Sequence, residues 1–205
     1  MHIIFGWELD TGSYPDSLAN EEAQQGIIVL GPAGLIGVLE TQLGLSGVHT
    51  HQAVRIGQYL RKLRATDNGN RFYSRSFQED SWSVAKQLLA WRDSLVMSGW
   101  KGDLPENSPR RLQELAAIEK LPDLELSPGL GDRLASILVS LESGRKLSIR
   151  TIELVEPLKD LPCVWGKLFL TLSQRDIRVE GIPGVVHKEA GENKTSQDLA
   201  SLQRA

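Results

Sequence analysis

The apolar positions of this chain follow two rhythms, and the points where one gives way to the other mark its organisation. Short runs of consecutive or alternating apolar residues at 3–7, 27–30, 147–155 and 177–182 predict four strands, two near each end of the chain. Between Leu35 and Gly144 the apolar spacing lengthens to three and four residues, the period of a helix face. "LIGVLETQLGL" follows a glycine turn, and "HQAVRIGQYLRKLRAT" sets Ala53, Ile56, Leu60 and Leu63 on one side behind Thr50 as cap. "DSWSVAKQLLAWRDSLVMSGW" is the clearest helix: Val84, Leu88, Trp91 and Leu95 form its stripe, Asp80 or Ser81 caps it and Gly99 ends it. "SPRRLQELAAIE" and "SPGLGDRLASILVSLESG" open on Ser-Pro, which predicts helices with a serine cap and proline at the first helical position. "LPCVWGKLFLTLSQ" places Val164, Trp165, Leu168, Phe169 and Leu172 at helical spacing between the last two strands.

The organisation that follows is an α/β layer built from residues 1–48 and 146–185, with a helical insertion over 49–145 and a polar tail over 186–205. The tail stops before any element that would bury it, so the chain is expected to be part of something longer. Composition adds that a folded chain is expected: 40% of residues are hydrophobic and 24% charged, a balance that favours neither disorder nor a membrane class. No apolar run reaches the ~18 residues of a membrane span, and "MHIIFGWELD" lacks a basic leader, so neither a membrane nor a secretory class is expected. Cys163 is the only cysteine, which rules out an intramolecular disulfide or a thiolate metal cluster and points to the cytoplasm.

The turn "GIIVLGPAGLIGV" looks like the start of a phosphate loop. Such a loop needs G-x-x-x-x-G-K-[ST], because backbone amides cradle the phosphates, the lysine neutralises them and the hydroxyl holds magnesium. Gly31, Pro32, Ala33 and Gly34 supply the bend, but Gly37 stands at the lysine position and Val38 at the hydroxyl position. The partner strand should end in Asp-Glu to order magnesium and water. The nearest match, "TIELVEP", keeps one carboxylate, Glu156. A cation and a magnesium ligand are both missing, so ATP hydrolysis is not expected, and neither a catalytic residue nor a cofactor is assigned.

The blocks "LGPAGLIGVLETQLGL", "RFYSRSFQEDSWSVAKQLLAWRDSLVMSGWKG" and "IELVEPLKDLPCVWGKLF", in that order, resemble the amino-terminal region of AddB-like and RecB-family PD-(D/E)XK exonucleases, an inactivated superfamily I helicase. Active members of the wider group read G-x-A-G-S-G-K-T at the turn, so Gly31, Ala33 and Gly34 match and "LIGV" replaces the remainder. The resemblance implies a RecA-like, P-loop-NTPase-like sheet interrupted by a helical subdomain, and a role in DNA end processing during recombinational repair. It also implies a helicase or nuclease partner subunit, with the nuclease outside this chain. Glu192-Asn193-Lys194 fits the short (D/E)-x-K pattern but sits in a polar stretch without strand character.

The net charge of −3 argues against nucleic-acid binding driven by overall charge and leaves a local basic strip open. From Arg55 to Phe77 basic residues outnumber acidic ones and aromatics are interleaved. Arg61, Lys62, Arg64, Arg71, Tyr73 and Arg75 are therefore candidate contacts to single-stranded or duplex-end DNA. The competing reading is a solvated helix face with core aromatics. His49 and His51 read as a cap or loop pair, and Trp82, Trp91 and Trp100, nine apart, cannot share one helix face. Two further readings stay open: a nucleotide-binding enzyme with an unconventional loop, and a pure protein-interaction scaffold.

Overall fold

The computed structural model describes residues 1–11, 26–45, 50–105 and 107–182. They form an α/β structure with a four-stranded, all-parallel sheet and seven helices. The strands are β1 (His2–Phe5), β2 (Ile27–Leu30), β3 (Thr151–Leu154) and β4 (Arg178–Gly181), in the order β2-β1-β3-β4. The register sets Ile3 beside Ile28 and Ile152, and Phe5 beside Leu30 and Leu154. Ile3, Phe5, Ile152 and Leu154 are buried, while the alternate residues His2, Ile4, Thr151 and Glu153 are half-buried. One face of the sheet therefore carries the core, as strand alternation requires.

That core is completed by α1 (Pro32–Leu43), α6 (Leu130–Glu142) and α7 (Cys163–Ser173). Leu35, Ile36, Leu39 and Leu43 from α1 meet Leu134, Ile137 and Leu141 from α6, and Trp165 stacks on Phe5 with ring centroids 5.1 Å apart. Arg133 of α6 grips Glu40 of α1 through two hydrogen bonds of 2.8 and 2.6 Å. A second core holds α2 (Gln52–Thr66), α3 (Ser74–Glu79), α4 (Ser81–Met97) and α5 (Arg110–Glu119) around Tyr59, Leu63, Phe77 and Leu89. Helix α6 contributes Leu134, Ile137 and Leu141 to the core of the sheet, α1 and α7, and also packs on α4. Among the described residues no helix is long and apolar enough to cross a membrane.

Several local expectations change. His51, not Thr50, caps α2, its Nδ1 accepting from the Ala53 amide at 3.2 Å. Ser108 and Ser127 cap nothing: Pro109 and Gly129 stand at the cap positions of α5 and α6, and the Gly129 amide donates to Asp132 at 2.7 Å. Helix α4 starts at the Asp80 cap, yet it buries Ala85, Leu88, Leu89 and Arg92. Trp91, read as part of its inward stripe, is 40% exposed. Gly99 ends this helix at φ +93°, a left-handed conformation that favours glycine.

Candidate functional site

In parallel sheets ligands gather beyond the carboxyl ends of the strands, so that end of this sheet is the first place to look. The glycine turn lies there, after β2. A phosphate loop is wide, with several inward-facing amides between strand and helix. Here one residue, Gly31, separates Leu30 of β2 from Pro32 of α1. Pro32, Ala33, Gly34, Gly37 and Val38, read as a degenerate phosphate loop, are the first two turns of the helix.

The amides at the start of α1 are also occupied. Gly31 has no side chain with which to cap the helix, and Pro32 has no N–H. The Ala33 amide donates to Asp10 Oδ2 at 2.6 Å, the Gly34 amide to Asp10 Oδ1 at 3.2 Å, and the Leu35 amide to the Gly31 carbonyl at 2.9 Å. Every first-turn donor has a partner. A carboxylate from the 3₁₀ turn Leu9–Thr11 sits where an anion would bind. The approach is close enough that a Cβ on Gly31 would collide with the Asp10 backbone nitrogen. At Gly37 a Cβ would meet nothing within 4 Å, so packing does not explain the missing lysine.

Glu156 follows β3, and β1 lies between β2 and β3. Two strand spacings, roughly 10 Å, therefore separate it from the glycine junction. Both of its carboxylate oxygens accept from the Trp7 amide at 3.0 Å, which closes the turn after β1. Both carboxylates, Asp10 at the glycine junction and Glu156 after β3, are engaged by backbone amides.

The same pattern recurs in a cavity of about 390 Å³ lined by Ala33, His51, Arg55, Gly129 and Arg133. Its guanidinium groups are already matched: Arg55 makes bonds of 2.7 and 2.8 Å to Asp93, and Arg133 holds Glu40. Beneath it Arg92, 6% exposed, binds Asp132, Glu119 and Asp93, and so ties α4 to α5 and α6. Burial works against ionisation of Asp132, but the Arg92 hydrogen bond and charge, with the Gly129 amide, hold its carboxyl below the ordinary range. Among the described residues no three His, Cys, Asp or Glu side chains gather as metal ligands.

The basic strip divides. Arg61, Arg64 and Arg75 are exposed, and Arg71 is half-buried with its Nε donating to the Thr66 carbonyl at 3.2 Å. Lys62 and Tyr73 are not available to DNA. Lys62 is 4% exposed, and its ammonium lies 3.4 to 3.5 Å from the carbonyls of Ile118, Glu119 and Leu121, satisfying the end of α5. Burial pulls its pKa down against the opposing charge of Glu119. Tyr73 is 3% exposed and shares a 2.9 Å bond with the Thr66 hydroxyl. Tyr59 and Phe77 are core residues too. His49 and Glu192-Asn193-Lys194 lie outside the described residues.

Sequence reasoning missed Asp10. A proline-led helix behind a glycine cannot cap itself, so an acceptor from elsewhere was required, and "FGWELD" supplies one at the carboxyl end of β1. Comparison with known proteins finds no matching family model and no matching curated protein for this chain.

Proposed function

We propose that this chain is a helicase-like, RecA-type α/β module that serves DNA end processing by holding DNA or a helicase/nuclease subunit, without nucleotide hydrolysis. The observation that carries the reading is the Asp10 carboxylate on the Ala33 and Gly34 amides, at 2.6 and 3.2 Å. An incoming phosphate must displace a like charge already in place, and it would find neither a lysine nor a hydroxyl beside it. The all-parallel sheet, the strand-glycine-helix junction and the helical insertion between β2 and β3 are what a retained helicase-like scaffold would keep. The engaged carboxylates argue against the reading as a nucleotide-binding enzyme.

The test measures DNA binding by the full chain through fluorescence anisotropy, using a labelled duplex with a single-stranded overhang over a salt series. The reading predicts binding that weakens as salt rises and is unchanged by magnesium-ATP, with no phosphate release. ATP turnover would overturn it. Absence of any DNA binding at low salt would leave only the protein-scaffold form.

A further inference from the structure

The turn between α2 and α3 carries Phe72, and three elements converge on it. The Phe72 amide donates to Glu114 Oε2 of α5 at 2.8 Å, and Arg110 of α5 donates from Nη2 to the Asn70 carbonyl at 2.7 Å. The first turns of α5 are thereby fastened over this loop. Trp91 of α4 lies nearly parallel to the Phe72 ring, with 13° between planes and centroids 6.5 Å apart. The Arg111 guanidinium carbon stands 5.8 Å from the Phe72 centroid.

What this surface shows to solvent is aromatic and cationic. Trp91 is 40% exposed, the Arg110 side chain is 72% exposed, and Arg111 is exposed with no carboxylate partner among the described residues. The carboxylate at the centre, Glu114, is only 6% exposed and already accepts from Arg110 and the Phe72 amide. The chain as a whole is acidic, so this is a local concentration of positive charge. The exposed Trp91 ring can stack on an unpaired base, with the half-buried Phe72 ring backing it, and adjacent guanidinium groups take the phosphates on either side. A duplex hides its base faces and would meet only the arginines.

We infer that Trp91, Phe72 and Arg111 form a stacking platform for single-stranded DNA, with Arg110 as a second phosphate contact. This rests on the DNA-binding reading above and gives it a place and a strand type. It moves the contact surface from the α2 strip to the junction of α4, α5 and the α2–α3 turn.

The full chain is titrated with a labelled oligothymidine of about twenty residues and with a duplex of equal length, over a salt series. The platform predicts tighter binding of the single strand and quenching of tryptophan fluorescence. It also predicts roughly tenfold or greater weakening in Trp91→Ala, with binding kept in Trp91→Phe. Arg111→Glu, at an exposed position, should weaken binding further, and Arg111→Ala should reduce the salt slope by about 0.7. Unchanged affinity in both Trp91→Ala and Arg111→Glu would overturn the platform and leave DNA binding elsewhere intact. Failure of wild type to bind either oligonucleotide at low salt would overturn the platform and the DNA-binding reading together.

Discussion

Asp10 does for α1 what a capping side chain ordinarily does for its own helix, but from 23 residues away in sequence. Replacing it by alanine strips the Ala33 and Gly34 amides of their acceptor and should lower stability by about 1 kcal/mol in urea unfolding. Gly31→Ala should cost more, since its Cβ meets the Asp10 backbone as well as its carboxylate. Arg92 is the residue on which most charge depends. Its loss leaves Asp132 and Glu119, each about a quarter exposed, without their shared cation. Arg92→Met should therefore destabilise by about 3 kcal/mol, whereas the exposed Arg61→Ala should stay within about 0.5 kcal/mol.

At the level of elements, α4 gives the sharpest test of which face turns inward. Leu89 is 1% exposed and Trp91 40%, so Leu89→Ala should cost about 2–5 kcal/mol and Trp91→Ala under about 1 kcal/mol. The opposite order would mean the helix is rotated. The sequence stripe of Val84, Leu88, Trp91 and Leu95 misplaced Trp91 because Arg92, a charged residue, takes an inward position that hydrophobic patterning cannot assign. Strands at 27–30 and 177–182 and the helix behind Pro162 were legible, since periodicity and turn residues act within a few positions. The Ser-Pro caps were not, because Gln58 holds Ser127 and Asp132 holds the Gly129 amide, partners that only tertiary packing supplies. The glycine turn was legible as a junction between strand and helix. Its occupation by Asp10 was not, since the carboxylate arrives from the 3₁₀ turn that follows a different strand, β1.

Across the whole molecule, two apolar cores are joined through charge. Asp132 of α6 binds Arg92 of α4, and Glu114 of α5 binds the Phe72 amide and Arg110. Burial raises the cost of ionising both carboxylates, but these partners hold both below their ordinary values of 3.8 and 4.5. Groups with depressed folded pKa values contribute stability above the unfolded values and lose it as pH falls through the folded ones. Thermal stability should therefore be level down to about pH 5 and fall below about pH 4, with a smaller acid loss in Asp132→Asn.

At the carboxyl end of the sheet the chain's own carboxylates, Asp10 and Glu156, already hold the Ala33, Gly34 and Trp7 amides, so on the reading proposed above no nucleotide binds there. Thermal unfolding of the full chain with and without about 5 mM magnesium-ATP tests it most directly, because a ligand at fifty times its Kd adds about 2.3 kcal/mol. The wild type should show no shift in Tm. A clear rise in Tm that Gly31→Ala abolishes would contradict that reading.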